Sequence, residues 1–182
     1  GASLCVHKVL STPHAPEQAI LQGIGEMDLS TEGLLVVHGS TVATNAVLER
    51  KGVRTLYIAN RGLADVLTIG RQARRELYNL QPESLPPPVP RDHCIEVSAR
   101  LAADGSRVSA LEDADRQSVL QAIQALKAKA VAINLLFSFV NDADEREIES
   151  WLPAGLFVSR SSRVLTEYKE YERGIATWLN AW

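Results

Sequence analysis

Residues 33–59 read Gly33-Leu34-Leu35-Val36-Val37-His38-Gly39-Ser40-Thr41-Val42-Ala43-Thr44-Asn45-Ala46-Val47-Leu48-Glu49-Arg50-Lys51-Gly52-Val53-Arg54-Thr55-Leu56-Tyr57-Ile58-Ala59. The apolar run 34–38, opened by Gly33, has the composition of a strand buried on both faces. Val42, Ala43, Ala46 and Val47 follow at helical spacing, and Gly52 stands where a helix C-cap glycine belongs. Residues 53–59 read as the next strand. Strand, helix and strand over this length predict a βαβ unit and hence a parallel sheet.

Working outward, the same alternation recurs. Residues 4–10 read as a strand that stops at Ser11-Thr12-Pro13. Pro16 suits a first helical turn, and Ala19, Ile20, Ile24 and Met27 supply an apolar face. Val119, Leu120, Ile123 and Leu126 predict a helix, residues 130–136 a buried strand broken in composition only by Asn134, and residues 156–159 another strand. Asp142 and Glu145 have the spacing of a capping box, with Ile148, Trp151 and Leu152 behind them. Tyr168, Tyr171, Ile175, Trp178 and Trp182 predict the apolar stripe of a last helix. A helix cut short at that point would leave Trp182 exposed. Between the halves, residues 71–91 hold Arg71, Arg74, Arg75 and the prolines Pro82, Pro86, Pro87, Pro88 and Pro90. These predict an extended connector. Cys94-Ile95-Glu96-Val97 and Arg107-Val108, around Asp104-Gly105, predict a hairpin. The expected spans are therefore 1–70, a sheet portion; 71–110, connector and hairpin; and 111–182, a second βαβ portion.

The 182 residues are 46% hydrophobic and 23% charged, with 19 Lys and Arg against 22 Asp and Glu and a net charge of −3. That composition suits a folded α/β protein and disfavours a general nucleic-acid or anionic-membrane binder. No run approaches the ~20 apolar residues of a membrane helix. The first residues lack the pattern of a secretory signal and an initiator Met, so a cytoplasmic place and a processed, tagged or truncated chain are expected. Two cysteines, Cys5 and Cys94, make no disulfide scaffold.

Chemistry concentrates in 38–46, after a predicted strand and at a predicted helix start. Ligands of parallel sheets bind at the carboxyl ends of strands, and helix N-termini favour anions. Gly39 allows close approach. Ser40, Thr41, Thr44 and Asn45 supply neutral hydrogen-bonding groups, although Ser40 or Thr41 serves equally as a plain N-cap and Asn45 as a surface residue. His7, His14, His38 and His93 show no metal spacing. Arg71, Arg74 and Arg75 suit either an anionic ligand or a solvated, ion-paired face. Along 167–173 the aromatics fit the helix stripe and the charges read as solvated partners. No P-loop, Gly-x-Ser-x-Gly or Gly-x-Gly-x-x-Gly occurs.

Together, Lys8-Val9-Leu10-Ser11-Thr12-Pro13, the segment from His38 to Gly52, Arg61-Gly62-Leu63-Ala64-Asp65-Val66-Leu67-Thr68-Ile69-Gly70-Arg71-Gln72, Glu170-Tyr171-Glu172-Arg173 and Leu179-Asn180-Ala181 resemble the N-terminal region of the hydantoinase A / 5-oxoprolinase family. The resemblance implies a ribonuclease H-like lobe of the actin-like ATPase superfold. It implies ATP-dependent opening of a cyclic amide, of hydantoin or 5-oxoproline type, through a phosphorylated intermediate. It further implies ATP and Mg in the full-length protein, the rest of a hydantoinase A-type polypeptide and a B-type subunit as partners, and no nucleic acid or membrane. The family's glycine-rich phosphate turn is missing here, and residues 4–10 match its third strand. The expectation is thus a lobe incomplete at its N-terminus, whose strands 4–10 and 34–38 lose neighbours and pair abnormally, between molecules, or with residues outside the chain. Such a fragment would bind ATP weakly and be inactive alone. Thr41, Thr44 and Asn45 are the expected substrate-binding residues, with His38 and Arg71 in support, and no catalytic residue or metal ligand is assigned. The alternative is a non-catalytic interaction module of the same fold.

Overall fold

The computed structural model describes residues 4–12, 15–28, 32–37, 39, 41–73, 78–81 and 88–182. Two units divide the chain, Gly1–Thr41 and Val42–Trp182.

The first unit holds helix α1 (Pro16–Glu26), with proline in its first turn as the sequence predicts. Thr12 Oγ1 donates to Ala15 O at 2.7 Å and accepts the Ala19 N–H at 3.3 Å, which ties the entering chain to the helix. The expected strands do not form here. Residues 4–10 and 34–37 carry no ladder hydrogen bonds, while His38 lies outside the described residues. Leu35 and Val37 are 85% and 88% exposed, and Leu4, Val6 and Leu10 are exposed as well. A β-like composition becomes a strand only when a neighbour takes its backbone donors and acceptors. Among the described residues neither segment has one, so the βαβ unit expected from 34–59 is not observed.

The second unit begins with α2 (Val42–Leu48) and β1 (Thr55–Asn60) and continues with α3 (Val66–Ile69), β2 (Cys94–Val97), β3 (Arg100–Leu101), β4 (Arg107–Ser109), α4 (Asp113–Leu126), β5 (Ala130–Asn134), α5 (Ala143–Trp151), β6 (Phe157–Arg160), α6 (Ser161–Val164) and α7 (Glu170–Ala181). A four-stranded sheet runs β2-β1-β5-β6, parallel throughout. β5, α5 and β6 form the predicted βαβ connection. Strands from all three expected spans, 1–70, 71–110 and 111–182, join this one sheet.

The predicted hairpin is displaced. Cys94–Val97 does not pair with Arg107-Val108 but lies parallel to β1, with Tyr57 opposite Cys94 and Asn60 opposite Val97. Its apolar Ile95 and Val97 reach the core. The hairpin partner of β4 is β3, with Arg100 opposite Ser109 and Leu101 opposite Arg107.

Alternation along the strands builds two unlike cores. Leu56, Ile58, Val131 and Ile133 join Val119 and Ile123 of α4 and Ile148 of α5 on one face. Tyr57, Ala59, Ala130 and Ala132 meet Leu67 of α3 and Trp178 and Ala181 of α7 on the other. The alanines let α7 lie close to the sheet. Gly174 is the contact point: a Cβ there would meet Leu67 Cδ2 at 2.7 Å and Tyr57 Oη at 2.8 Å. This close seat explains why the buried face of α7 is Arg173, Gly174, Thr177, Trp178 and Ala181. Of the predicted aromatic stripe, Tyr168 lies before the helix and is exposed.

Gly52 has a different purpose from a C-cap. Arg50 takes the left-handed conformation after α2, at φ 55°. A Cβ at Gly52 would overlap the Trp182 indole. Val53 N–H also donates to Trp182 O at 2.8 Å. Trp182 is therefore half-buried rather than exposed.

Candidate functional site

All strands of the sheet are parallel, so their carboxyl ends share one edge, the usual place for ligands in such sheets. β1 and β5 end there on buried asparagines, Asn60 and Asn134. Asn60 Oδ1 accepts the Leu136 N–H at 2.6 Å, and its amide donates to Ala99 O. Asn134 Nδ2 donates to Tyr57 Oη at 3.0 Å and to Glu170 Oε1 at 2.9 Å.

Arg173, 0% exposed, is the centre of this edge. It reaches in from the first turns of α7. Its guanidinium donates to Leu135 O at 2.6 Å, Ser138 Oγ at 3.0 Å, Asn134 Oδ1 at 3.3 Å and Glu170 Oε2 at 3.1 Å. It also stands 5.2 Å from the Phe139 ring centroid. A buried guanidinium is tolerated only when its charge and donors are met in this way. Of its nitrogens, Nε has no hydrogen-bond partner among the described residues.

A second buried carboxylate anchors the neighbouring loop. Glu145 Oε1 accepts the Leu135 N–H at 3.1 Å and Ser161 Oγ at 2.6 Å, and Oε2 accepts the Ser162 N–H at 3.0 Å. Ser161 Oγ lies 2.9 Å from Ser138 Oγ, so the Glu145 and Arg173 networks join. The expected capping box at Asp142 and Glu145 is accordingly not made: Asp142 caps without a side-chain bond and pairs with Arg146 and Arg160. Such an interlaced set can hold a rigid polar floor beneath a ligand.

Thr44 and Asn45 lie on α2 and are exposed. Thr41 is exposed at the end of the first unit, and His38 lies outside the described residues. Arg71 is exposed, but it pairs with Glu172 Oε1 at 2.7 Å and stacks 6.0 Å from the Tyr171 centroid. Arg74 and Arg75 lie outside the described residues. The charged run 167–173 is not wholly solvated: Glu170 and Arg173 belong to the buried edge network. Two sequence signals mark that network, namely Asn134 interrupting an apolar strand and an arginine midway between Tyr171 and Ile175 of the aromatic stripe.

Burial also sets the titration of this unit. The Tyr57 phenol is pushed well above its ordinary value by desolvation, against the opposing hydrogen bond from Asn134. Burial pushes the Cys94 thiol up to about 11, with Arg91 pulling the other way. At pH 8 its thiolate fraction is then about a hundredfold below that of an ordinary thiol. Iodoacetamide labelling followed by peptide mass spectrometry is expected to modify exposed Cys5 first and Cys94 far more slowly. Equal rates would show that the 94–97 strand opens readily.

Among the described residues no three His, Cys, Asp or Glu side chains gather as a metal site. The Gly62 and Ala64 N–H groups after β1 could cradle a phosphate, but both donate to Glu96 Oε1, at 3.0 and 3.2 Å. This donor set does not fit a triphosphate with its magnesium. No described helix is long and apolar enough to cross a membrane.

Comparison with known proteins gives a consistent picture. Residues 1–154 match the family described as the hydantoinase/oxoprolinase N-terminal region. An uncharacterized protein of Methanocaldococcus jannaschii is 31% identical over 97% of this chain and 27% of its own length. The caprolactamase subunit alpha of Pseudomonas jessenii is 28% identical over 96% of the chain and 27% of its own length. The structure of the Pseudomonas jessenii ATP-dependent caprolactamase superposes with a TM-score of 0.72 at 26% identity, over 94% of this chain and 27% of that one. A nucleotide-free acetone carboxylase superposes at 0.80 with 24% identity, over 95% of this chain and 28% of that one. The architecture is that of an actin-like ATPase lobe. The chain spans about 27% of the length of these curated relatives.

Proposed function

The chain belongs to the hydantoinase/oxoprolinase N-terminal family, and from that membership we propose that it is the N-terminal part of an ATP-dependent hydrolase opening cyclic amides. The observation that carries this reading is the match to the caprolactamase subunit over nearly the whole chain, because a lactam is a cyclic amide. In the longer protein, ATP would turn the amide oxygen into a phosphate leaving group, so that water opens the ring. ATP and Mg binding belong to that longer polypeptide, and a B-type subunit is its partner, in keeping with relatives named as subunits. Thr41, Thr44 and Asn45 are proposed to hold the ring by hydrogen bonds, with His38 and Arg71 in support.

The test is ADP release by the protein from the whole reading frame, co-expressed with its B-type partner and supplied with hydantoin, 5-oxoproline or caprolactam. Release dependent on one of these amides is expected, with none above background from the 182-residue chain alone. Absence of amide-dependent release from the assembled protein would sink the hydrolase reading. The second reading, a non-catalytic module of the same fold, draws on the occupied Gly62–Ala64 donors. It requires that the assembled protein release no ADP in response to any of these amides.

A further inference from the structure

α7 starts beside Asn134 at the carboxyl edge and ends against Gly52 and Val53, which precede β1. Its last turn therefore reaches the opposite, amino edge of the sheet. A cleft of about 570 Å³ opens there, within the usual size range of small-molecule sites. Ile175, Trp178, Leu179 and Trp182 of α7 and its end form one wall, and Pro88 and Pro90 of the connector contribute another. The polar side chains lining it are Arg50, Arg54 and His93, and no acidic residue is among them.

Neither arginine has a counter-charge among the described residues. The nearby acid Glu49 pairs with Lys51 instead. Among the described residues Arg50 and Arg54 make no ion pair or side-chain hydrogen bond, as is true also of the exposed Arg116 and Arg163, whereas Arg71, Arg91 and Arg146 are paired. An apolar cavity with unpaired guanidinium groups at its lining is complementary to a ligand with an apolar body and one anionic end. Its flat indole walls favour a planar body.

We propose that this amino-edge cleft binds a small aromatic carboxylate, its ring against Trp178 and Trp182 and its carboxylate held by Arg50 and Arg54. The site goes beyond the cyclic-amide reading and does not depend on it. It uses neither the carboxyl-edge network nor the proposed ring-binding residues.

Tryptophan fluorescence reads the site directly, because two tryptophans line it. The 182-residue chain is titrated with 4-phenylbutyrate and, separately, with its neutral amide. Saturable quenching by the carboxylate is expected at a concentration at least tenfold below that needed for the amide. The double variant R50Q/R54Q, altering only exposed side chains, is expected to abolish that tenfold preference while leaving amide binding and the far-ultraviolet circular dichroism unchanged. Failure of both probes to quench, equal binding of acid and amide, or a preference that survives in R50Q/R54Q would each overturn the proposal.

Discussion

Replacing Arg173 with leucine is expected to lower the melting temperature by roughly 6–20 °C, the largest effect of any single change considered for this protein. The guanidinium is fully buried and donates to a backbone carbonyl, a serine, an asparagine and a carboxylate. Leucine fills part of the volume but meets none of these acceptors. Glu170 would lose its buried cation, and Leu135 O and Ser138 Oγ their donor. Removing one partner of a buried charge pair costs about 3–5 kcal/mol, and about 1 kcal/mol shifts melting by ~2–4 °C in a protein of this size. Arg173→Lys is expected to recover less than half of the loss, because an ammonium cannot reach both sides of the network. Thermal unfolding followed by circular dichroism measures both. A shift below ~2 °C for Arg173→Leu would mean that the network is solvated and not a rigid floor.

Glu145→Ala is expected to destabilise by about 3 kcal/mol, and the size decides between two readings of the residue. As one half of a capping box, its removal would cost about 1 kcal/mol. As the buried acceptor of the Leu135 and Ser162 N–H groups and of Ser161 Oγ, its loss leaves buried donors without partners. Each unsatisfied donor costs about 1–3 kcal/mol, partly relieved because the Ser161 hydroxyl can turn toward Ser138. Urea unfolding with an unchanged m-value is the measurement. A loss near 1 kcal/mol would return Glu145 to the role of a helix cap. Neither substitution touches Arg50 or Arg54, so phenylbutyrate binding provides a check that the amino edge survives in each variant.

Much of the second unit was legible as local pattern. The runs 130–134 and 55–60 are buried at every position, and their composition shows it, apolar but for Thr55 and the closing asparagines Asn60 and Asn134. The face of α4 follows from Val119 and Ile123. Residues 34–37 are wholly apolar and form no strand, because composition cannot specify a backbone partner. The segment 94–97 could pair with either neighbour by its own pattern. Ile95 and Val97 gain more by facing α4 beside β1 than by closing a two-stranded hairpin.

The candidate site was less legible for a related reason. Glu170 and Arg173, three residues apart, have the spacing of a surface helical pair. Only the close seat of α7, permitted by Gly174 and by the alanines at 59, 130 and 132, carries that pair into the interior. Glu145 has capping-box spacing, yet its carboxylate is captured by the loop after β5 and the first turn of α6. The amino-edge cleft has no linear signature, since its walls come from α7, the connector and the end of α2.

The chain's own order of residues thus determined the α/β class, the buried strands, the helix faces and membership of the family, because each depends on patterns within one segment. The tertiary structure alone decided which strands have neighbours, which charges are buried and where an anion can enter. Those properties arise from hydrogen bonds and desolvation between groups far apart in the chain, which no local pattern encodes.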